Sequence, residues 1–186
     1  YFYHHYNKTV AGERVVEIPI VKRLIDKYQG KNILEVGNVL SHYFQVKHDI
    51  LDKYEKAPGV INQDVTTFSP SKRYDLIISI STLEHVGRDY GEEYSPEKFN
   101  AAIRNLKKLL TNNGQLFVTL PVSFNFYLYK LIMSHKMPFT KESYLQRSSF
   151  LNDWVQIPFS KVEDRKGYDN YYANANCLYV GRFFRK

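Results

Sequence analysis

The stretch Tyr74 to Gly87, YDLIISISTLEHVG, limits this chain more than any other. The apolar core Leu76-Ile77-Ile78 follows Asp75 and runs into a small, polar exit from Ser79 to Thr82. Leu83-Glu84-His85-Val86 comes next. A continuous apolar run bounded in this way is the pattern of a strand buried on both faces of a parallel sheet. In open α/β sheets the carboxyl ends of such strands open into the ligand crevice. Ser81, Thr82, Glu84 and His85 are therefore expected where a ligand binds.

The remaining segments extend this reading. Val15 to Tyr28 carries apolar residues at helical spacing, with Pro19 either kinking the helix or opening it, and Gln29-Gly30-Lys31 closing it. Short buried strands are expected over Asn32–Gly37, near His48–Asp52, over Gly59–Val65 and over Tyr74–Ser81. Ser95–Leu110 is the clearest helix. Ser95 suits the N-cap, Pro96 the first turn, and Phe99, Ala102, Ile103, Leu106, Leu109 and Leu110 form one stripe. Asn112-Asn113-Gly114 stops that helix, and Gln115–Leu120 is a fifth strand. Phe124–Met137 reads as an aromatic helix, Trp154–Phe159 and Cys177–Phe184 as two late antiparallel strands, and Ser160–Asn176 as a loop. This order of elements is that of a doubly wound α/β sheet.

Bulk properties narrow the function. The 186 residues are 44% apolar and 24% charged, the proportions of a globular domain with a real core. No internal repeat or linker divides them, and no apolar run reaches the length of a membrane span. No signal peptide is visible, and the chain opens at Tyr1 rather than Met, which leaves upstream residues open. The single Cys177 cannot form an internal disulfide, which suits a reducing, cytoplasmic setting. A net charge of +7 is spread in small clusters and reads as a solvated surface before a nucleic-acid groove. His4-His5 does not suggest a metal, since adjacent side chains on a strand point to opposite faces and no carboxylate is near.

Five pieces of the chain resemble the class I S-adenosylmethionine-dependent methyltransferases. Ile33-Leu34-Glu35-Val36-Gly37 resembles the first strand and its glycine turn, and Asp52 the acid ending the second strand. Asp64 resembles the acid ending the third, Asp75–Val86 the fourth strand with its Leu-Glu-His signature, and Asn113–Val118 the turn into the fifth. The resemblance covers Asn32–Pro121. It implies one domain, 1–186, with a three-layer Rossmann-like fold: an N-terminal lid and helix (1–30), a cofactor-binding core (31–122) and a substrate side (123–186). It also implies a mostly parallel seven-stranded sheet with an antiparallel C-terminal hairpin.

The same resemblance implies S-adenosyl-L-methionine as cofactor and assigns roles. Gly37 would let the backbone approach it, Asp52 would accept from ribose hydroxyls, and Asp64 with Val65 would hold the adenine edge. Ser81 and Thr82 would line the floor, and Glu35 would orient the loop. Asp49 rivals Asp52 for its role. Val39 and Ser41 stand where the family has further glycines, and Asn38 is expected to supply a positive φ in their place. The short interval from Gly37 to Asp52 leaves room only for a short or irregular first helix. His85 is either a helix-start residue bonded to backbone or the general base beside the transferred methyl. Tyr6, Asn7 and Arg14 are expected as lid contacts, and Tyr168, Tyr171 and Tyr172 as stacking surfaces for a ring.

Methyl transfer is an in-line displacement in which the protein supplies alignment and excludes water. A base is needed only if the acceptor loses a proton, so no catalytic triad is expected. No Asn-Pro-Pro-Tyr-type sequence follows the fourth strand, which disfavours planar amino nitrogens. The Ser81–His85 signature resembles enzymes acting on small molecules, lipids or glycans, here at oxygen. The rivals are an inactive binding or scaffold protein on the same fold, and an RNA-binding relative that uses the positive charge. A nicotinamide dehydrogenase would want the full glycine fingerprint, which is absent.

Overall fold

The computed structural model describes residues 1–6, 9–88, 91, 93–163 and 174–186. The strands are β1 (Ile33–Val36), β2 (Asp49–Leu51), β3 (Val60–Ile61), β4 (Tyr74–Ile80), β5 (Leu110–Pro121), β6 (Lys141–Arg147), β7 (Trp154–Ile157) and β8 (Cys177–Phe184). The helices are α1 (Arg14–Asp26), α2 (Glu97–Leu109) and α3 (Phe126–Met133). All eight strands form one sheet in the order β3-β2-β1-β4-β5-β8-β6-β7. The first five are parallel; β8 runs antiparallel to β5, and β6 and β7 continue antiparallel beyond it.

Each face of the sheet buries its own set of side chains, as the two-residue period of a strand requires. Leu34, Val36 and Ile77 pack with Phe99, Ala102, Ile103 and Leu106 of α2 and with Leu128 and Ile132 of α3. Ile33, Leu76, Ile78 and Ile80 face the other way, onto Val15, Ile18 and Val21 of α1. The result is three layers. Pro19 lies inside α1, where its ring leaves one backbone acceptor without its helical donor.

Several expectations are corrected in detail. The sheet has eight strands rather than seven, and the two late strands do not pair with each other. Both pair with β6, which lies between them. Its sequence, KESYLQR, carries no apolar run, and Tyr144, Gln146 and Arg147 supply its buried positions instead. The third strand shrinks to Val60–Ile61, since the residues after it turn to serve the cleft. Pro96 rather than Ser95 takes the N-cap of α2, and the Ser95 hydroxyl donates to Glu97. Asn113, at φ +65°, sits in the irregular start of β5, not at a helix end. His4 and His5 do not diverge: the segment is not a strand, and their rings stack 4.3 Å apart. Among the described residues, no helix is long and apolar enough to cross a membrane.

Candidate cofactor site

The chain runs β1, β2, β3 outward and then returns to the other side of β1 to make β4. That reversal is the topological switch point of an open α/β sheet, and a crevice opens at the carboxyl ends of the strands beside it. A cleft of about 270 Å³ lies there, walled by the turns after β1, β2, β3 and β4. Gly37, Asn38, Asp52, Asp64, Val65, Ser81, Thr82 and His85 all line it.

The turn after β1 is held by three acids, Glu35, Asp52 and Glu55. Gly37 adopts φ +90°, and a Cβ there would stand 2.2 Å from Thr82 Oγ1. Gly37 is therefore demanded by the close approach of two strand ends, whatever occupies the cleft. Glu35 does not line the cleft. It is buried beneath the turn, where Oε1 accepts from the N–H groups of Val39 (2.9 Å) and Leu40 (2.8 Å). Its Oε2 lies 2.7 Å from His48 Nε2. Asn38 does not adopt positive φ. Its amide instead bonds Glu55 (2.5 Å), and its carbonyl oxygen accepts from the Ser41 hydroxyl (2.5 Å). Side-chain bonds thus shape this turn where later glycines would have done so. The short first helix is a single 3-10 turn, Leu40–His42.

Asp52 and Asp49 part company here. Asp49 accepts from the Tyr74 hydroxyl (2.8 Å) and pairs with Lys72 (2.8 Å) at the far end of β2. Asp52 reaches the cleft, where Oδ2 accepts from Asn38 N–H (3.0 Å) and Oδ1 from the N–H groups of Tyr54 (2.9 Å) and Glu55 (2.8 Å). Asp64 accepts from the N–H (2.8 Å) and hydroxyl (2.6 Å) of Thr66 and pairs with Lys53 (3.0 Å). Partial burial alone would push the Asp64 carboxyl up, but the Thr66 bonds and the Lys53 ammonium together hold it below the usual range. An ionised carboxylate offers about four acceptor positions. Asp52 uses three in fixing the turn, and Asp64 three.

Ser81 and Thr82 line the cleft from the end of β4. Ser81 adopts φ +39°, uncommon for a residue with a side chain. Arg14 of α1 donates to the carbonyls of Ile80 (3.0 Å) and Ser81 (3.4 Å) and to Glu17 (2.7 Å), and it lines the cleft. Tyr6 instead packs on the turn after β1, its ring stacked 4.3 Å from His42. Asn7, Tyr168, Tyr171 and Tyr172 lie outside the described residues.

His85 ends a 3-10 turn rather than starting a helix, and it lines the cleft. Its backbone closes the 3-10 turn Leu83–His85, donating to Thr82 (3.1 Å), while its ring lines the cleft at 33% exposure. That ring lies 4.6 Å from Phe124, and Nε2 is 3.9 Å from Glu84 Oε1. Glu84 is fully buried, and loss of water, reinforced by Glu17 and Glu13 against the opposing pull of Arg14, pushes its carboxyl well up. Among the described residues, no cluster of His, Cys, Asp or Glu could hold a metal.

Sequence reasoning missed Lys53, Tyr54, Gln63 and Lys98, which also line the cleft. Lys53 and Gln63 adjoin Asp52 and Asp64, so their place at strand ends was the available signal. Glu17 was missed too; an acid inside the apolar stripe Val15-Ile18-Val21 was its signal.

No protein-family model and no curated protein matches the sequence. Solved structures do match. The N-methyltransferase NodS from Bradyrhizobium japonicum aligns with a TM-score of 0.54 over 93% of this chain and 96% of its own, at 14% identity. An S-adenosylmethionine-dependent methyltransferase from Thermotoga maritima gives 0.53 over 92% and 89%, at 15% identity. The chain has the fold of the class I S-adenosylmethionine-dependent methyltransferases. In this sheet β8 runs antiparallel to β5, and the cleft lies at the crossover between β1 and β4. NodS has also been crystallised with S-adenosyl-L-homocysteine, and that complex aligns equally well, with a TM-score of 0.54.

Proposed function

We propose that the cleft binds S-adenosyl-L-methionine and that the chain transfers its methyl group to an oxygen of a small-molecule, lipid or glycan acceptor. The observation that carries this reading is the pairing of Asp52 and Asp64, two acids at adjacent strand ends of one cleft, each with acceptor capacity left after fixing its own turn. That acceptor set fits the hydroxyls of a ribose and the amino edge of a base. The NodS complex with S-adenosyl-L-homocysteine, on the same fold, supports the choice of ligand.

The cofactor, when bound, supplies a methyl group activated by a sulfonium sulfur. The chain's residues then have four tasks. Asp52 would accept from the ribose, and Asp64 with Val65 would hold the adenine. Ser81 and Thr82 would form the floor, with no Cβ on Gly37 to intrude. His85 would take the proton of an acceptor hydroxyl at its ring, a role imidazole fills more often than any other side chain. Reaction at oxygen is favoured because His85 stands at the cleft beside Phe124, where a base has a use.

Calorimetric titration with S-adenosyl-L-methionine and S-adenosyl-L-homocysteine tests the cofactor, with Asp52→Asn as control. Asn keeps an acceptor for the turn but loses the charge. Micromolar binding weakened by the substitution supports the reading. Methyl transfer from labelled cofactor to hydroxylated metabolites, lipids and glycans, lost in His85→Asn, then tests the chemistry. No binding at millimolar ligand overturns both and leaves a scaffold on a methyltransferase fold.

A further inference from the structure

Ser81 holds a backbone conformation that residues with side chains adopt only when their surroundings impose it. What imposes it is visible. Its N–H donates to the Thr119 carbonyl (3.0 Å), its hydroxyl donates to Glu17 Oε1 (2.6 Å), and its carbonyl accepts from Arg14 Nη2 (3.4 Å). Arg14 Nη1 donates both to the Ile80 carbonyl (3.0 Å) and to Glu17 Oε2 (2.7 Å). Two residues one turn apart on α1 therefore grip the end of β4 from a different part of the chain.

Stability does not explain this arrangement. Glu17 is fully buried and the Arg14 side chain nearly so. Taking such a pair out of water costs about as much as its attraction returns, and well-packed apolar residues commonly do as well or better. Glu17 also interrupts the apolar stripe with which α1 packs on the sheet. Unlike Arg14, it does not reach the cleft. Its two oxygens serve two residues that line it, Ser81 and Arg14.

We propose that Glu17 is a positioning residue: with Arg14 it fixes Ser81 in the shape the cleft requires, and so couples the docking of α1 to ligand binding. This rests on the reading of the cleft as a cofactor site.

The test is the affinity for S-adenosyl-L-homocysteine, measured with the melting temperature of each variant. Glu17→Leu should weaken binding at least about tenfold. Glu17→Gln keeps an acceptor for the Ser81 hydroxyl and should recover most of the loss. Ser81→Gly removes the hydroxyl, suits the positive φ and leaves the Arg14–Glu17 pair intact. It should melt close to the parent, since relief of the backbone strain offsets the lost bond, yet bind about as weakly as Glu17→Leu. The double variant Glu17→Leu/Ser81→Gly should be no worse than Glu17→Leu alone, because both substitutions break one linkage.

If Glu17→Leu does not fold, Ser81→Gly and Glu17→Gln still decide. Parental affinity in a folded Ser81→Gly, or losses that simply multiply in the double variant, would reduce Glu17 to a structural residue. Binding by the parent with Ser81→Gly unchanged overturns this inference alone. No binding by the parent at millimolar ligand overturns the cofactor reading and this inference together.

Discussion

Gly37 and Thr82 meet across the mouth of the sheet so closely that a Cβ on Gly37 would stand 2.2 Å from Thr82 Oγ1 and 2.6 Å from its Cγ2. The contact joins the ends of β1 and β4, the two strands that flank the crossover. Two costs would fall on Gly37→Ala: the clash, and a φ of +90° that L residues rarely adopt. We expect a loss of about 2–4 kcal/mol in denaturant unfolding. In a Thr82→Ala background the clash is partly relieved and the φ cost remains, so the loss should fall to about 1–2 kcal/mol. Equal losses in both backgrounds would mean that Thr82 is not what excludes the side chain.

Glu84 sets a pH dependence of unusual sign. It is 1% exposed and its Oε2 has no hydrogen-bond partner among the described residues. Burial pushes its carboxyl well up. In the unfolded chain it ionises near pH 4.3. Above that value the unfolded chain releases the proton and the folded one retains it, so stability falls as pH rises towards the folded value. Glu84→Gln should remove this penalty. Unfolding midpoints should match the parent near pH 4 and exceed it at pH 7–8 by on the order of 1 kcal/mol or more. A variant less stable than the parent at pH 8 would show that Glu84 is ionised and paired in the folded protein.

Asp64 has the opposite sign. Its carboxyl is held low despite partial burial, by Thr66 and Lys53. Its contribution is complete at neutral pH, above the unfolded value near 3.9, and is lost as pH falls through the lower folded value. Asp64→Asn should therefore cost up to about 1 kcal/mol at pH 7. The difference from the parent should vanish in strong acid, as read from unfolding midpoints between about pH 2 and pH 7. A constant difference across that range would locate the cost in the Thr66 bonds and not in the charge.

Much of this site was legible because strand ends carry it. An apolar run ending in small polar residues announces the strand and the crevice with Ser81, Thr82 and His85. The family resemblance points to Gly37, Asp52 and Asp64, and all six line one cleft. What stayed hidden depends on contacts between distant parts of the chain. Glu17 reaches Ser81 from α1, and no local pattern encodes that bond. The Asn38 turn is held by side chains of Glu35, Ser41 and Glu55, so the rule linking missing glycines to positive φ did not apply. β6 was invisible for a related reason. A strand enclosed by β8 and β7 can meet its burial needs with Tyr144, Gln146 and Arg147, and no run of Val, Ile or Leu marks it.

Cys177 begins β8, is 1% exposed, and has its thiol pushed up to about 12 by burial. The thiolate is the reactive form. A disulfide reagent at pH 8 should therefore leave Cys177 untouched in the folded protein and label it at once in denaturant. Labelling of the native protein should proceed no faster than unfolding of the sheet. Rapid labelling without denaturant would mean that β8 opens from β5 independently of the rest.

Asn152 fastens the N-terminal segment that leads into Arg14 and Glu17. Its Nδ2 donates to the carbonyls of Val10 (3.1 Å), Gly12 (2.9 Å) and, at longer range, Thr9 (3.4 Å), while Oδ1 accepts from Trp154 Nε1 (2.8 Å). It also adopts φ +63°, which asparagine tolerates better than most residues. Two properties of one residue can then be separated. Asn152→Gly keeps the backbone geometry and loses the bonds, which should cost about 1–3 kcal/mol. Asn152→Ala loses the bonds and strains the backbone as well, so it should be worse by about a further 1 kcal/mol. Both should speed proteolysis before Arg14 in proportion to their cost, because the carbonyls released are those that anchor the segment. An alanine variant as stable as the glycine one would show that the side-chain bonds alone hold the segment.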